Sequence, residues 1–311
     1  MKDILIALVI GLSLMMGAAK NLHAEQTEEQ TYLRGLQAAQ NDDFERAFSE
    51  WISIAEKSVD AAYKVAVLFE QGLGTDQDFE KAAKWYLVAA NKGVMEAYFG
   101  LGKLYEEGLG VDQDYKEALF RYEIAAEMGS TGAQHRLAWM YLQGIGVDKD
   151  SQAAADWYQQ AASSGVVESQ HNLGTMYLTG QGVEQNFKEA FKWFSLAAGQ
   201  QFAPAQLMLG DLYSRGSGTL QDHKKAMKWF RLAAEQGNAG GQAGLASGYS
   251  TGSGTPKDIV LAHMWLNIAA ANSGKEFPEL LSQLEKEMTK EQIAQAQRFA
   301  RECVARKYKN C

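Results

Sequence analysis

Proline is almost missing, with three residues in 311, so little interrupts a nearly continuous run of helices, counted at this length as one domain. Cysteine is rarer still. Its two copies, Cys303 and Cys311, stand at the far end of the chain and leave the body without a disulfide framework. An excess of positive charge is lacking too. A formal net charge of −8 argues against nucleic acid, whose binding is dominated by cationic neutralisation of phosphates. Long apolar stretches are absent beyond Ile4 to Met16, a run shorter than the roughly 20 residues a membrane helix needs. A mean hydropathy of −0.30 excludes a multi-span membrane protein.

What the chain has in abundance is glycine, 30 residues, and much of it is periodic. Gly72, Gly108, Gly144, Gly180, Gly216 and Gly252 recur every 36 residues, each followed two residues later by another: Gly74, Gly110, Gly146, Gly182, Gly218 and Gly254. Such a period means stacked supersecondary units that bury their apolar faces against one another. Upstream of each glycine pair, Val65, Leu101, Leu137, Leu173, Leu209 and Leu245 precede Phe69, Tyr105, Tyr141, Tyr177, Tyr213 and Tyr249 by four residues, a one-turn spacing that predicts the inward face of a first helix. The glycine pair predicts a turn through left-handed backbone; a phosphate-binding loop would not recur in every copy.

Four residues past the second glycine stand Asp78, Asp114, Asp150, Asn186, Asp222 and Asp258, each expected to cap a second helix. Glu117 and Glu189, three residues further on, are placed to complete reciprocal capping. As calcium ligands these acids are too dispersed, one per copy, to converge on a cation. The second helix carries alanines and a row of Trp85, Trp157, Trp193, Trp229 and Trp265, expected in the core without a ligand; Arg121 interrupts the row, beside Tyr122.

The order Ala-x3-Leu-Gly-x2-Tyr-x2-Gly-x-Gly-Val-x2-Asp, unbroken from Ala97 to Asp114 and followed by alanines and aromatics, resembles the Sel-one-like repeat, a relative of the tetratricopeptide repeat. The resemblance covers about residues 61–274 in six copies. It implies an all-α fold, a right-handed α-solenoid of antiparallel helix pairs, and adaptor or scaffold work in settings such as protein quality control, envelope biology and host interaction. It brings no shared catalytic residue. Some relatives with a cysteine pair in each repeat are credited with penicillin-binding activity, but this chain has no cysteine within its repeats.

The ends differ from the repeats. Residues 25–60 read as a degenerate opening repeat in which Asp43-Phe44-Glu45-Arg46-Ala47 begins a second helix, and residues 275–311 as closing helices with Thr289 and Gln292 spaced as a capping box. Gln201 stands where a glycine would close the fourth copy. Residues 1–24 have the anatomy of a secretory signal peptide: Lys2, the apolar run, then Gly17, Ala18 and Ala19, with a further cut site after Ala24. That predicts a periplasmic or secreted protein of a Gram-negative bacterium, the mature chain starting near Lys20 or Glu25, without stable membrane insertion after cleavage. An uncleaved anchor is the alternative, since Asp3 weakens the positive start. In an oxidising compartment Cys303 and Cys311 could pair, provided the last helix ends near Arg306, because a continuous helix would hold them about 12 Å apart. Two free thiols or an intermolecular link are the alternatives.

By analogy with tetratricopeptide arrays, the concave groove is lined by first-helix positions two before and two after the repeated leucine. One row is Tyr63, Phe99, His135, His171 and Leu207; the other is Val67, Lys103, Trp139, Thr175 and Asp211. The aromatic centre of these rows suits a peptide or protein partner anchored by rings, or else pads the contact between neighbouring first helices. His135 and His171 are too few ligands for zinc, so neither metal nor cofactor is expected. No nucleophile elbow or acid partner stands at a telling spacing. The leading expectation is a non-enzymatic, exported interaction scaffold; a cell-wall-active or other hydrolase using the same groove is the rival.

Overall fold

The computed structural model describes residues 27–274 and 277–311; residues 1–24, expected to be a signal peptide, lie outside the described residues. The chain divides into two compact units, one ending at Lys149 and the other running Asp150–Cys311. Every regular element among the described residues is a helix. The first unit holds α1 (27–40), α2 (Phe44–Ile52), α3 (Val59–Gln71), α4 (Phe79–Ala90), α5 (Met95–Glu107), α6 (Tyr115–Glu127) and α7 (Thr131–Gln143). The second holds α8 (Ser151–Ser163), α9 (Val167–Thr179), α10 (Phe187–Gly199), α11 (Ala203–Arg215), α12 (His223–Ala234), α13 (Ala239–Thr251), α14 (Ile259–Ser273), α15 (Pro278–Lys286) and α16 (Lys290–Ala305). Within each unit successive helices pack as antiparallel pairs.

The local chemistry of one turn explains the period. At the end of α5, Gly108 adopts φ 69°, and its amide and that of Leu109 both donate to the Leu104 carbonyl, satisfying an otherwise orphaned acceptor. Gly110 is also left-handed, at φ 69°, and a Cβ there would collide with the backbone of Phe79 and Glu80 at the start of α4. The second glycine is therefore required twice, by its own conformation and by the close approach of the preceding copy. The Gln113 side chain closes the loop onto the Glu106 carbonyl at 2.8 Å. Asp114 then accepts from the amides of Lys116 and Glu117. All six predicted caps accept such a bond, each contributing about 1 kcal/mol.

Two expectations about side chains need correction. Glu117 and Glu189 do not turn back to their caps; they reach forward to Arg121 and Lys192, 3.2 Å away in each case, because a basic residue one turn on attracts the carboxylate outward. A reciprocal capping box forms instead at Thr289 and Gln292. The tryptophan row is not uniformly core either. Trp193 and Trp265 are buried, but Trp85, Trp157 and Trp229 are only half-buried. The deepest ring belongs to the next position: Tyr86, Tyr122, Tyr158 and Phe194 are all at or below 2 % exposure. The step of 100° per residue turns that neighbour squarely toward the first helix.

A buried amide row, unnoticed in the sequence, ties copies together. In the second unit Gln170 donates to the Ala162 carbonyl at 3.1 Å and accepts from Gln200 at 2.9 Å. Gln206 and Gln242 accept equivalently from Gln236 and Asn272. Each amide thus meets the demand that buried polar groups be hydrogen-bonded. At the C-terminus α15 and α16 pack on α14. Helix α16 gives way at Arg306 to left-handed residues Lys307 and Tyr308, which brings Cys303 and Cys311 to a Cα separation of 5.5 Å and a disulfide. Tyr308 bonds Asn272, and Lys309 lies 3.7 Å from Glu235, so the tail is fastened to earlier helices as well.

Candidate protein-interaction surface

The residues expected to line the groove all lie on first helices and are all half-buried. In the first unit, the Tyr63 ring centroid is 6.0 Å from that of Tyr86, and Phe99 is 5.6 Å from Tyr122. These two rings cover the deep aromatic of their own copy. Phe99 also lies where a side chain on Gly132 would be, 3.2 Å from the place of its Cβ, so it touches the next first helix. His135 sits on α7, next to Arg136. Trp139, one turn further along α7, lies 4.9 Å from the Arg136 guanidinium, a cation–π distance.

Lys103 and Arg136 are held by carboxylates that sequence reading missed. Glu106, 7 % exposed, takes two bonds from Arg136, at 2.8 and 2.7 Å, and a third from the Tyr122 hydroxyl at 2.8 Å. A bidentate, charge-assisted pair of this kind is among the stronger hydrogen-bonding arrangements. Glu70 repeats the motif one copy earlier, accepting from the Tyr86 hydroxyl and from Lys103 Nζ at 3.0 Å. Burial first, then the neighbouring carboxylate, pushes both tyrosine phenols far above their ordinary pKa. The signal was present in the sequence: a glutamate two residues before the first glycine, with tyrosine sixteen residues later.

In the second unit the expected residues divide. The His171 ring lies 5.4 Å from both Phe194 and Phe202, and its buried Nδ1 finds no partner among the described residues. Burial lowers its pKa, which keeps it neutral. The Thr175 hydroxyl bonds back to the His171 carbonyl at 3.0 Å. Leu207 and Asp211 instead line a cavity of about 500 Å³ shared with α12 and α13. Among the described residues no three His, Cys, Asp or Glu side chains converge as a metal site requires, and no helix is long and apolar enough to cross a membrane.

Stacked helix pairs whose exposed face is repeated rather than gathered round one pocket define a helical repeat protein of the kind that typically serves as a scaffold for protein–protein interaction. The chain belongs to the Sel1 repeat family, whose model matches six times, at residues 59–94, 96–130, 131–166, 167–202, 203–238 and 239–273. Among solved structures it is similar to a Sel1 repeat protein from Oxalobacter formigenes, with 30% identity and a TM-score of 0.66 over 77% of this chain and 96% of that one. It is also similar in fold to c5321, a protective antigen of uropathogenic Escherichia coli strains, with 24% identity and a TM-score of 0.51 over 92% and 85% of the two chains. A search of curated proteins finds no match.

Proposed function

We propose that this protein is an exported scaffold that binds a protein or peptide partner on the first-helix face of its repeats, in the periplasm or outside a Gram-negative cell, within envelope or host-interaction biology. The observation that supports this reading best is the setting of Trp139. Its indole is half-buried and backed by Arg136, which Glu106 clamps with two hydrogen bonds. A side chain held in place before the partner arrives loses little freedom on binding. Tryptophan and arginine are also the residues that most often dominate interface affinity. The net charge of −8 directs the proposal to a protein rather than a nucleic acid, and the binding calls on no metal or cofactor. Export rests on the anatomy of residues 1–24.

A photo-crosslinking residue placed at position 139 in the native host tests the face, with Leu196, 47 % exposed on the second helix α10, as control. A discrete crosslinked species from 139 and none from 196 is expected; equal or reversed yields would move the partner off the first-helix face. N-terminal sequencing of the released protein should begin near Lys20 or Glu25, whereas Met1 on membrane-bound material would overturn cleavage.

A further inference from the structure

The outer face of the second helices has no part in the core, yet two neighbouring copies carry the same residues there. In α10 Lys188, Lys192 and Leu196 follow one another at four-residue spacing, as do Lys224, Lys228 and Leu232 in α12, so each triplet forms a stripe along one side of its helix. All six side chains are exposed. In α8 the same registers hold Gln152, Asp156 and Gln160, which shows that repeat packing does not call for the pattern. The two stripes start side by side. The turn into α12 passes so close to the start of α10 that a Cβ on Gly218 would collide with the Phe187 carbonyl, and both helices run in the same direction because α11 is antiparallel to each.

The carboxylates that flank these stripes in the sequence are already engaged: Glu189 lies 3.2 Å from Lys192, Asp222 3.6 Å from Lys225, and Glu235 3.7 Å from Lys309. Lys188, Lys224 and Lys228 have no ion-pair partner among the described residues. Helix α12 contains no acidic side chain at all, so in a protein of net charge −8 this face reverses the prevailing sign. Leu196 and Leu232, at 47 % and 44 % exposure, stand one turn beyond the second lysine, about 6 Å further along each axis. Uncommitted cations beside exposed leucines supply both halves of an interfacial anchor. Ammonium groups on long stems reach headgroup phosphates while the leucines meet the acyl boundary. A pattern written twice in the same register suits a partner with the same chemistry at every point, as a bilayer surface has, whereas a folded acidic protein would meet each stripe with different side chains.

We propose that the outer face of α10 and α12 docks on a membrane surface rich in anionic phospholipids, its lysines on the headgroup phosphates and its two leucines at the acyl boundary. The contact is peripheral, since no helix among the described residues is long and apolar enough to cross a membrane. It goes beyond the first-helix binding face and does not depend on it. The crosslinking contrast is left intact, because lipid against position 196 yields no discrete protein adduct.

The test titrates the mature chain with vesicles of phosphatidylcholine and phosphatidylglycerol in equal parts, and with vesicles of phosphatidylcholine alone, reading bound protein by flotation. Binding to the anionic vesicles only, weakened by added salt, is expected. Lys188→Gln with Lys224→Gln and Lys228→Gln should weaken it on the order of a hundredfold, at about fivefold per lysine. Leu196→Ser with Leu232→Ser should weaken it roughly tenfold at constant charge. As a control, Lys84→Gln with Lys116→Gln and Lys149→Gln makes the same change of net charge in the first unit and should bind as the parent does. Every substituted side chain is exposed, so helix content should not change. No flotation with anionic vesicles at low salt, equal flotation with phosphatidylcholine alone, an equal loss in the control, or undiminished binding by the lysine or the leucine variant would overturn the membrane contact. So would a protein that ignores the vesicles but binds soluble polyglutamate through the same three lysines, an outcome that makes this face a dock for an acidic polypeptide. The crosslink from position 139 is read separately, and either proposal can fail without the other.

Discussion

The register that carries Glu70 and Glu106 in the first unit carries Leu178, Ser214 and Ser250 in the second, and the deep aromatic changes with it. Where the glutamate is present the ring is tyrosine, at 86 and 122, and its hydroxyl donates to the carboxylate. Where the glutamate is gone, at Leu142, Leu178, Ser214 and Ser250, the residue sixteen positions on is Tyr158, Phe194, Phe230 or Leu266, so the ring loses its hydroxyl in two of these copies and the position loses its ring in a third. The first unit thus joins neighbouring copies through a carboxylate, a phenol and a base from the next first helix. The second joins them through the buried amides of Gln170, Gln206 and Gln242. One architecture accepts two chemistries at its joints because each joint needs only local satisfaction of buried polar groups. The charged joint also orients Arg136 against Trp139, whereas at the α11–α13 joint Leu207 and Asp211 line a cavity beside α12.

The widest gap between the two regions is expected from their tryptophans. Trp193→Ala, in the second unit, should destabilise by about 3–5 kcal/mol, as a large buried side chain leaves a cavity. Trp139→Ala should change stability by no more than about 1 kcal/mol. Denaturant unfolding of both variants reads the contrast, and comparable losses would make Trp139 a packing residue.

Removing the charged joint should come next. Glu106→Gln keeps the shape but takes away the charge-assisted bonds to Arg136, and a loss of about 2 kcal/mol is expected. Arg136 is 40 % exposed, so it recovers water and the penalty stays below that of a fully buried broken pair. Hydrogen exchange should place the loosening in α5–α7. Loosening confined to α9–α14 would show that the joint is not local.

Acid and alkali should separate the units with a smaller effect. Tyr86 and Tyr122 bind their protons more tightly folded than unfolded. Their contribution is therefore complete below the ordinary phenol value of 10.0 and is lost progressively as pH climbs above it. His171 has a lowered pKa when folded, so its contribution is complete above the ordinary 6.5 and is lost as pH falls below it. Melting temperature against pH should decline at both ends. Tyr86→Phe with Tyr122→Phe should flatten the alkaline limb, and His171→Phe the acid limb. A double tyrosine variant as sensitive to alkali as the parent would remove the phenols from that account.

The period, the glycine turns, the caps and the family were legible in the residues alone. Most of these depend on contacts within a few positions: Asp114 reaches an amide two or three residues away, and Gly108 closes a turn on Leu104. Such interactions are repeated identically whenever the sequence repeats. What the tertiary structure decided lies between copies. Which ring of each aromatic pair goes deepest, where Glu117 and Glu189 point, and why Phe230 lies open while Tyr86 is covered all depend on side chains about 15 to 35 positions away or on competition between neighbouring partners. Those surroundings change from one copy to the next while the period stays the same, so burial and the candidate site emerge only when the helices are packed.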